Sequence, residues 1–167
     1  MTMYGTGDDR VSLTNEQRAK MNALMEDRRK RKKEQAVLRV KEQMSVEMIE
    51  DFAKKYEFAD HEVSVRLKKL LDELPSNESG KIDFNKLPAH RKFSVQNTDT
   101  RKRIVWFCSL CGGEEIFEVF VKGRLADFLA DYDGWYFYGA YMLLVYEDLN
   151  GFVYIDDNGN MTEAFFR

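Results

Sequence analysis

Apolar residues follow three rhythms along the chain. Between Asn15 and Met44 they recur at helical spacing in two patches, Met21, Leu24 and Met25, then Ala36, Val37, Val40 and Met44. Ser12 or Thr14 is placed to cap the start of such a helix, because a hydroxyl can accept from the free N–H groups of the first turn. The patches are separated by Arg28-Arg29-Lys30-Arg31-Lys32-Lys33. At 100° per residue, six successive cations surround a helix and leave no face to bury.

A second rhythm runs through IEDFAKKYEFADHEVSVRLK, residues 49–68. Phe52 and Tyr56 supply one short inner face, Ala53 a small residue, Phe58 an apolar residue in a turn, and Val63 and Leu67 a second inner face, continued by Leu70 and Leu71. Asp60 suits the N-cap of the second helix, its carboxylate lying against free N–H groups and the positive end of the dipole. Leu74-Pro75-Ser76-Asn77-Glu78-Ser79-Gly80 then stops the helical pattern.

The third rhythm is that of strands. RIVWFCSL (103–110) and EIFEVFVK (115–122) are rich in β-branched and aromatic residues and flank Gly112-Gly113, which predicts an antiparallel hairpin. Further strands are expected at 135–147, 152–156 and 161–166, with Asn150-Gly151 and Asn158-Gly159 supplying positive φ in the turns, and one or two helical turns at 125–130. The expected fold is therefore α+β: a helical N-terminal region with a helix-turn-helix-like hairpin, then a mostly antiparallel five-stranded sheet or partial barrel with a short helix. The boundaries fall at a flexible N-terminus (1–13), a helical region (14–74), a connector (75–92) with at most one short strand at 81–84, and a β domain (93–167).

Charge sharpens this division. The 167 residues carry 26 Lys+Arg and 29 Asp+Glu, net −3. Up to Lys92 the count is 20 basic against 17 acidic; from Phe93 it is 6 against 12, and 17 of the 22 aromatics lie in that second part. No apolar h-region follows the N-terminus and no stretch approaches a membrane span, so a soluble, cytoplasmic protein with no membrane partner is expected. Two cysteines cannot form a disulfide framework.

The basic run supports two readings. As a nucleic-acid element, Arg28, Arg29, Lys30, Arg31, Lys32 and Lys33 would neutralise phosphates and release counterions, giving salt dependence without sequence information. As a solvated helix, the run would be paired at i,i+4 with Glu26, Asp27 and Glu34.

Residues 49–68 resemble the helix-turn-helix of bacterial and phage DNA-binding regulators, over about 20 of the 167 residues. The resemblance implies that the helix from Asp60 to about Asp72 enters the major groove, with His61, Ser64, Val65 and Lys68 facing outward and Arg66 and Lys69 beside them. A helical hairpin packed in a small bundle needs the same apolar spacing.

The β region holds further candidates. Cys108 and Cys111 have the CxxCG form of a zinc knuckle, but a structural zinc needs four ligands and only His61 and His90 remain; the spacing also fits a dithiol redox pair or two unligated thiols. Zinc is the one cofactor these residues suggest. The acidic loops ending at Gly134 and Gly159 place Leu129 and Tyr154 where a calcium loop needs its first carboxylate, and both fail. The run from Trp135 to Tyr141 puts aromatics on both faces of a strand: either it is central and covered, or Trp135, Tyr136 and Tyr138, with Asp131 and Asp133, form an acidic aromatic surface for a protein partner. No Walker loop, GxGxxG, HExxH or nucleophile elbow is present, so an enzyme is not expected. Two readings remain. One is a non-enzymatic regulator, of transcription or another nucleic-acid process, that contacts DNA through its helices and a protein through its β domain. The other is an inhibitor or adaptor of phage or mobile-element type, binding protein alone.

Overall fold

A computed structural model describes residues 13–43, 45, 49–93, 98–111, 117–136 and 142–167. The chain divides into two compact units, Met1–Gln35 and Ala36–Arg167. The expected boundary at 75–92 therefore falls inside the second unit.

Helix α1 (Asn15–Gln43) crosses the division and buries no residue along its 29 positions. A reciprocal capping box starts it: the Gln17 N–H donates to Thr14 Oγ1 at 3.2 Å and the Thr14 N–H donates to Gln17 Oε1 at 3.0 Å. In the first unit, Met21, Leu24 and Met25 stay 45–61% exposed.

The second unit is a seven-stranded open antiparallel sheet. Its strands are β1 (Glu57–Phe58), β2 (Ala89–Lys92), β3 (Ile104–Cys111), β4 (Phe117–Arg124), β5 (Met142–Tyr146), β6 (Gly151–Ile155) and β7 (Met161–Phe165), in the order β1-β4-β3-β5-β6-β7-β2. After the one-turn helix α4 (Thr98–Arg101), the two strands of the expected hairpin pair along their whole length, with Ile104 opposite Arg124 and Cys111 opposite Phe117, while the expected turn at Gly112-Gly113 lies outside the described residues.

Both faces of the sheet are covered, which is why β5, MLLVY, is buried at every position. On one face Val105, Phe107, Leu144, Tyr146 and Val153 pack with Phe52, Tyr56, the short helices α5 (Leu125–Ala130) and α6 (Tyr132–Tyr136), and Val37 and Val40. On the other, Trp106, Phe120, Leu143, Val145 and Phe152 pack against Leu67 and the partly buried Val63, Leu70 and Leu71 of α3 (His61–Asp72), and against Ile82, Phe84 and Leu87. The middle strands read as apolar in nearly every residue because neither face meets water.

Several expectations change. Five strands become seven because β1 and β2 come from stretches too short and too polar to show an alternation; they are recruited by the exposed edges of β4 and β7. The stretch 81–84 forms no strand: Ile82 makes one isolated bridge to Ser76, and a 3-10 turn follows at Phe84–Lys86. Of the strand expected at 135–147, Met142–Tyr146 forms as β5, Trp135 lies instead on α6, and 137–141 lie outside the described residues. Gly159 has the positive φ expected of it, 78°, but before β6 the left-handed residue is Leu149 at 57°. Gly151 already lies in the strand, where a Cβ would sit 2.5 Å from the Ala164 carbonyl oxygen.

Residues 49–68 also differ from two helices joined by a turn. The first helix, α2 (Phe52–Lys55), is a single turn, and the residues assigned to the turn are extended, Glu57 opposite Lys122 and Phe58 opposite Val121. No glycine at 57–59 favours a tight reversal, while Phe58 gains ring contact with Phe52 at 5.0 Å. Phe52 and Tyr56 do face the core; Ala53 is exposed.

Candidate nucleic-acid interface

The six cations Arg28, Arg29, Lys30, Arg31, Lys32 and Lys33 all lie on α1 and are all exposed. The neighbouring acids neutralise little of this run. Arg31 pairs with Asp27 at 3.0 Å, both side chains being more than half exposed, and no other cation of the run makes an ion pair with a described residue. Pairing of Lys30 with Glu26 or Glu34 is not formed, so the stretch presents a concentrated positive field to solvent.

The cations of α3 are set differently. The helix is held by its inner face, with Leu67 at 0% exposure, and capped by Asp60, whose Oδ1 accepts the Val63 N–H at 2.8 Å. His61, Arg66, Lys68 and Lys69 are exposed, as is Val65, while Ser64 is half-buried and donates its hydroxyl to the Asp60 carbonyl at 2.7 Å. Arg66 pairs with Glu62 at 3.0 Å and Lys68 with Asp72 at 3.8 Å. Two of the three Lys and Arg on this outer face, Arg66 and Lys68, are thus offset by a carboxylate, and Asp60 and Glu62 stand at the end that a recognition helix turns toward phosphates.

Of the aromatic acidic candidates, Trp135 is internal and Asp131 is part-buried beside it. Trp135 is fully buried, its ring 4.8 Å from Phe107, 5.1 Å from Tyr56 and 5.2 Å from Phe128. The Trp135 indole N–H donates to the Tyr56 hydroxyl at 3.4 Å, and that hydroxyl donates to Asp131 Oδ2 at 2.6 Å. Lys55 completes the group at 3.2 Å from the same carboxylate. Burial, then the bond to Asp131, pushes the Tyr56 phenol far above its ordinary value of 10.0. Trp135 is thus covered, as one of the two sequence readings has it, but on a helix, α6, that turns the ring inward and not on a central strand, and Asp131 supports it through Tyr56. Asp133 is exposed. Tyr136 is the last residue of α6, and Tyr138 lies outside the described residues.

The cysteine motif also changes character. β3 runs through both Cys108 and Cys111, with no knuckle turn between them, and three residues of extended strand span about 10 Å. Two thiolates on one zinc each lie only about 2.3 Å from the metal, which needs a tight turn. Among the described residues no group of three or more His, Cys, Asp or Glu could hold a metal ion. The described helices include none long and apolar enough to cross a membrane.

One cluster carried no signal in the sequence. Glu163 on β7 is 4% exposed and accepts from the Tyr146 hydroxyl at 2.5 Å and from Arg91 Nε at 2.7 Å. Arg103 lies over the Tyr146 ring, 3.5 Å from its centroid. Burial, then the bond to Glu163, raises the Tyr146 phenol well above 10.0. Alternation along MTEAF does not distinguish a buried carboxylate from a solvated one, because its cation sits on another strand.

No protein-family model matches the chain, and no match was found among curated proteins or among solved structures.

Proposed function

We propose that this protein is a non-enzymatic, nucleic-acid-associated binding protein whose polyanion contact is the basic run of α1, with the sheet unit serving as scaffold and protein-contacting part. The observation that carries the reading is the run of exposed cations from Arg28 to Lys33, in which, among the described residues, only Arg31 has an ion-pair partner, on a stretch of helix with no buried residue. Such a surface attracts phosphates through counterion release, which favours any duplex and confers no base preference. Relative to the resemblance of residues 49–68 to regulators, the contact moves from α3 to α1. Glu62 and Asp72 pair with Arg66 and Lys68 on α3, whereas of the six cations Arg28–Lys33 of α1 only Arg31 pairs with a described carboxylate, Asp27.

The test is binding of a labelled 20-bp duplex of mixed sequence across a salt series. The reading expects binding at low salt, a negative slope of log affinity against log salt, and equal affinity for an unrelated duplex. Absence of binding at low salt would overturn it and leave the protein-only inhibitor or adaptor as the better account.

A further inference from the structure

Strand β2 is the end of the sheet, and among the described residues no strand pairs with its outer side. Its four residues, Ala89, His90, Arg91 and Lys92, are all exposed. The register fixes which backbone groups are available. Lys92 lies opposite Thr162 and Arg91 opposite Glu163, and the next residue, Phe93, donates its N–H to the Met161 carbonyl at 3.0 Å. Antiparallel ladders alternate, so Phe93, Arg91 and Ala89 direct their N–H and C=O groups toward β7, while His90 and Lys92 direct theirs outward.

We infer that the outer edge of β2 is a docking site for an acidic peptide segment, which binds in extended form as an eighth strand. Two independent features select this occupant. Outward N–H and C=O groups alternate along the edge, and only another extended backbone satisfies donors and acceptors together; a phosphate backbone accepts but does not donate. The side chains along the edge are cationic or neutral, His90, Arg91 and Lys92, with Arg91 also held by Glu163. A second copy of this chain pairing edge to edge would set Lys92 and Arg91 against their own duplicates, the arrangement by which lysine-bearing edges resist self-pairing. An acidic strand replaces that repulsion with attraction across the new pairs. Arg91 is anchored by Glu163 and the His90 ring rests against Phe84, 5.8 Å between centroids, so the strand keeps its register on β7 when its outer side is engaged.

The probe is a nine-residue peptide alternating glutamate and valine, added to the full chain, with the same peptide carrying lysine for glutamate as control. Amide exchange followed by NMR should slow about tenfold at His90 and Lys92 on adding the acidic peptide and stay unchanged at Arg91, whose N–H is already bonded. Lys92→Pro removes an outward donor and leaves the ladder to β7 intact, because proline is tolerated where an edge N–H faces solvent. It should weaken peptide binding roughly five- to tenfold. Lys92→Glu keeps the N–H and reverses the charge; it should lose the acidic peptide and gain the lysine one, and it serves if the proline variant fails to fold. Unchanged exchange at His90 and Lys92 with saturating acidic peptide would overturn the proposal. So would protection of those amides by duplex DNA in its place, or by raising the protein concentration with no peptide present.

Discussion

Helices α1 and α3 both carry clustered cations, yet they are built for opposite situations. In α3, Leu67 is sealed against Trp106 and Phe120, Asp60 caps the start, and Arg66 and Lys68 each face a carboxylate one turn away. In α1, the run from Arg28 to Lys33 makes one ion pair among the described residues, and the apolar residues Met21, Leu24 and Met25 remain about half exposed. Counting Lys and Arg does not separate these helices. What separates them is whether the positive charge is offset within one turn and whether the stretch that carries it has a buried inner face, as Leu67 gives α3 and nothing between Met21 and Lys33 gives α1. Packing makes α3 part of the scaffold, and unbalanced charge is the ground on which α1 is proposed as the contact.

The largest effect that would break this contrast is on stability. Leu67→Ala opens a cavity between α3 and the sheet and should cost about 2–5 kcal/mol, whereas Leu24→Ala on α1 should change stability by less than about 0.5 kcal/mol. Urea unfolding followed by tryptophan fluorescence measures both. Comparable losses would mean that the stretch of α1 around Leu24 has an inner face after all.

A smaller effect separates internal charge from surface charge. Glu163→Gln replaces a buried charged acceptor of Tyr146 and Arg91, and should cost about 1–3 kcal/mol by the same measurement. Glu62→Gln on α3 removes only an exposed pair and should stay within about 0.5 kcal/mol.

Alkali should act on the sheet unit and leave α1 out of account. Tyr56 and Tyr146 both resist ionisation in the folded state, where burial and a neighbouring carboxylate hold them neutral. Their contribution is complete below the ordinary phenol value of 10.0, and it is lost as pH rises beyond it, because the unfolded chain then releases protons that the folded chain keeps. Unfolding free energy should therefore decline above about pH 10. Tyr56→Phe and Tyr146→Phe should each flatten that decline, read from the fluorescence of Trp135 and Trp106.

Much of the fold was legible in the sequence, for physical reasons that also explain what was not. The capping box at Thr14, the hairpin of β3 and β4 and the helix at Leu125–Ala130 rest on local chemistry, in which neighbours in sequence are partners in space. β1 and β2 rest on distant edges, and nothing in Glu57-Phe58 or in AHRK announces them. Trp135 misled because an aromatic run suits a strand as well as a short helix; its partners Tyr56 and Phe52 lie some 80 residues earlier. At the candidate interface, the sequence located the cations of α1 correctly but left open whether Glu26, Asp27 and Glu34 would offset them. Side-chain geometry decides that, and only Asp27 does so.

The contrast between the two helices is tested most directly by the salt dependence of duplex binding in two variants. One carries Lys30→Ala, Lys32→Ala and Lys33→Ala on α1, where alanine preserves helicity; the other carries Lys68→Ala and Lys69→Ala on α3. The account predicts that the log–log slope becomes shallower by about 2–3 in the α1 variant and by less than about 0.5 in the α3 variant. A slope unchanged by the α1 substitutions, or one lost with the α3 substitutions, would contradict it.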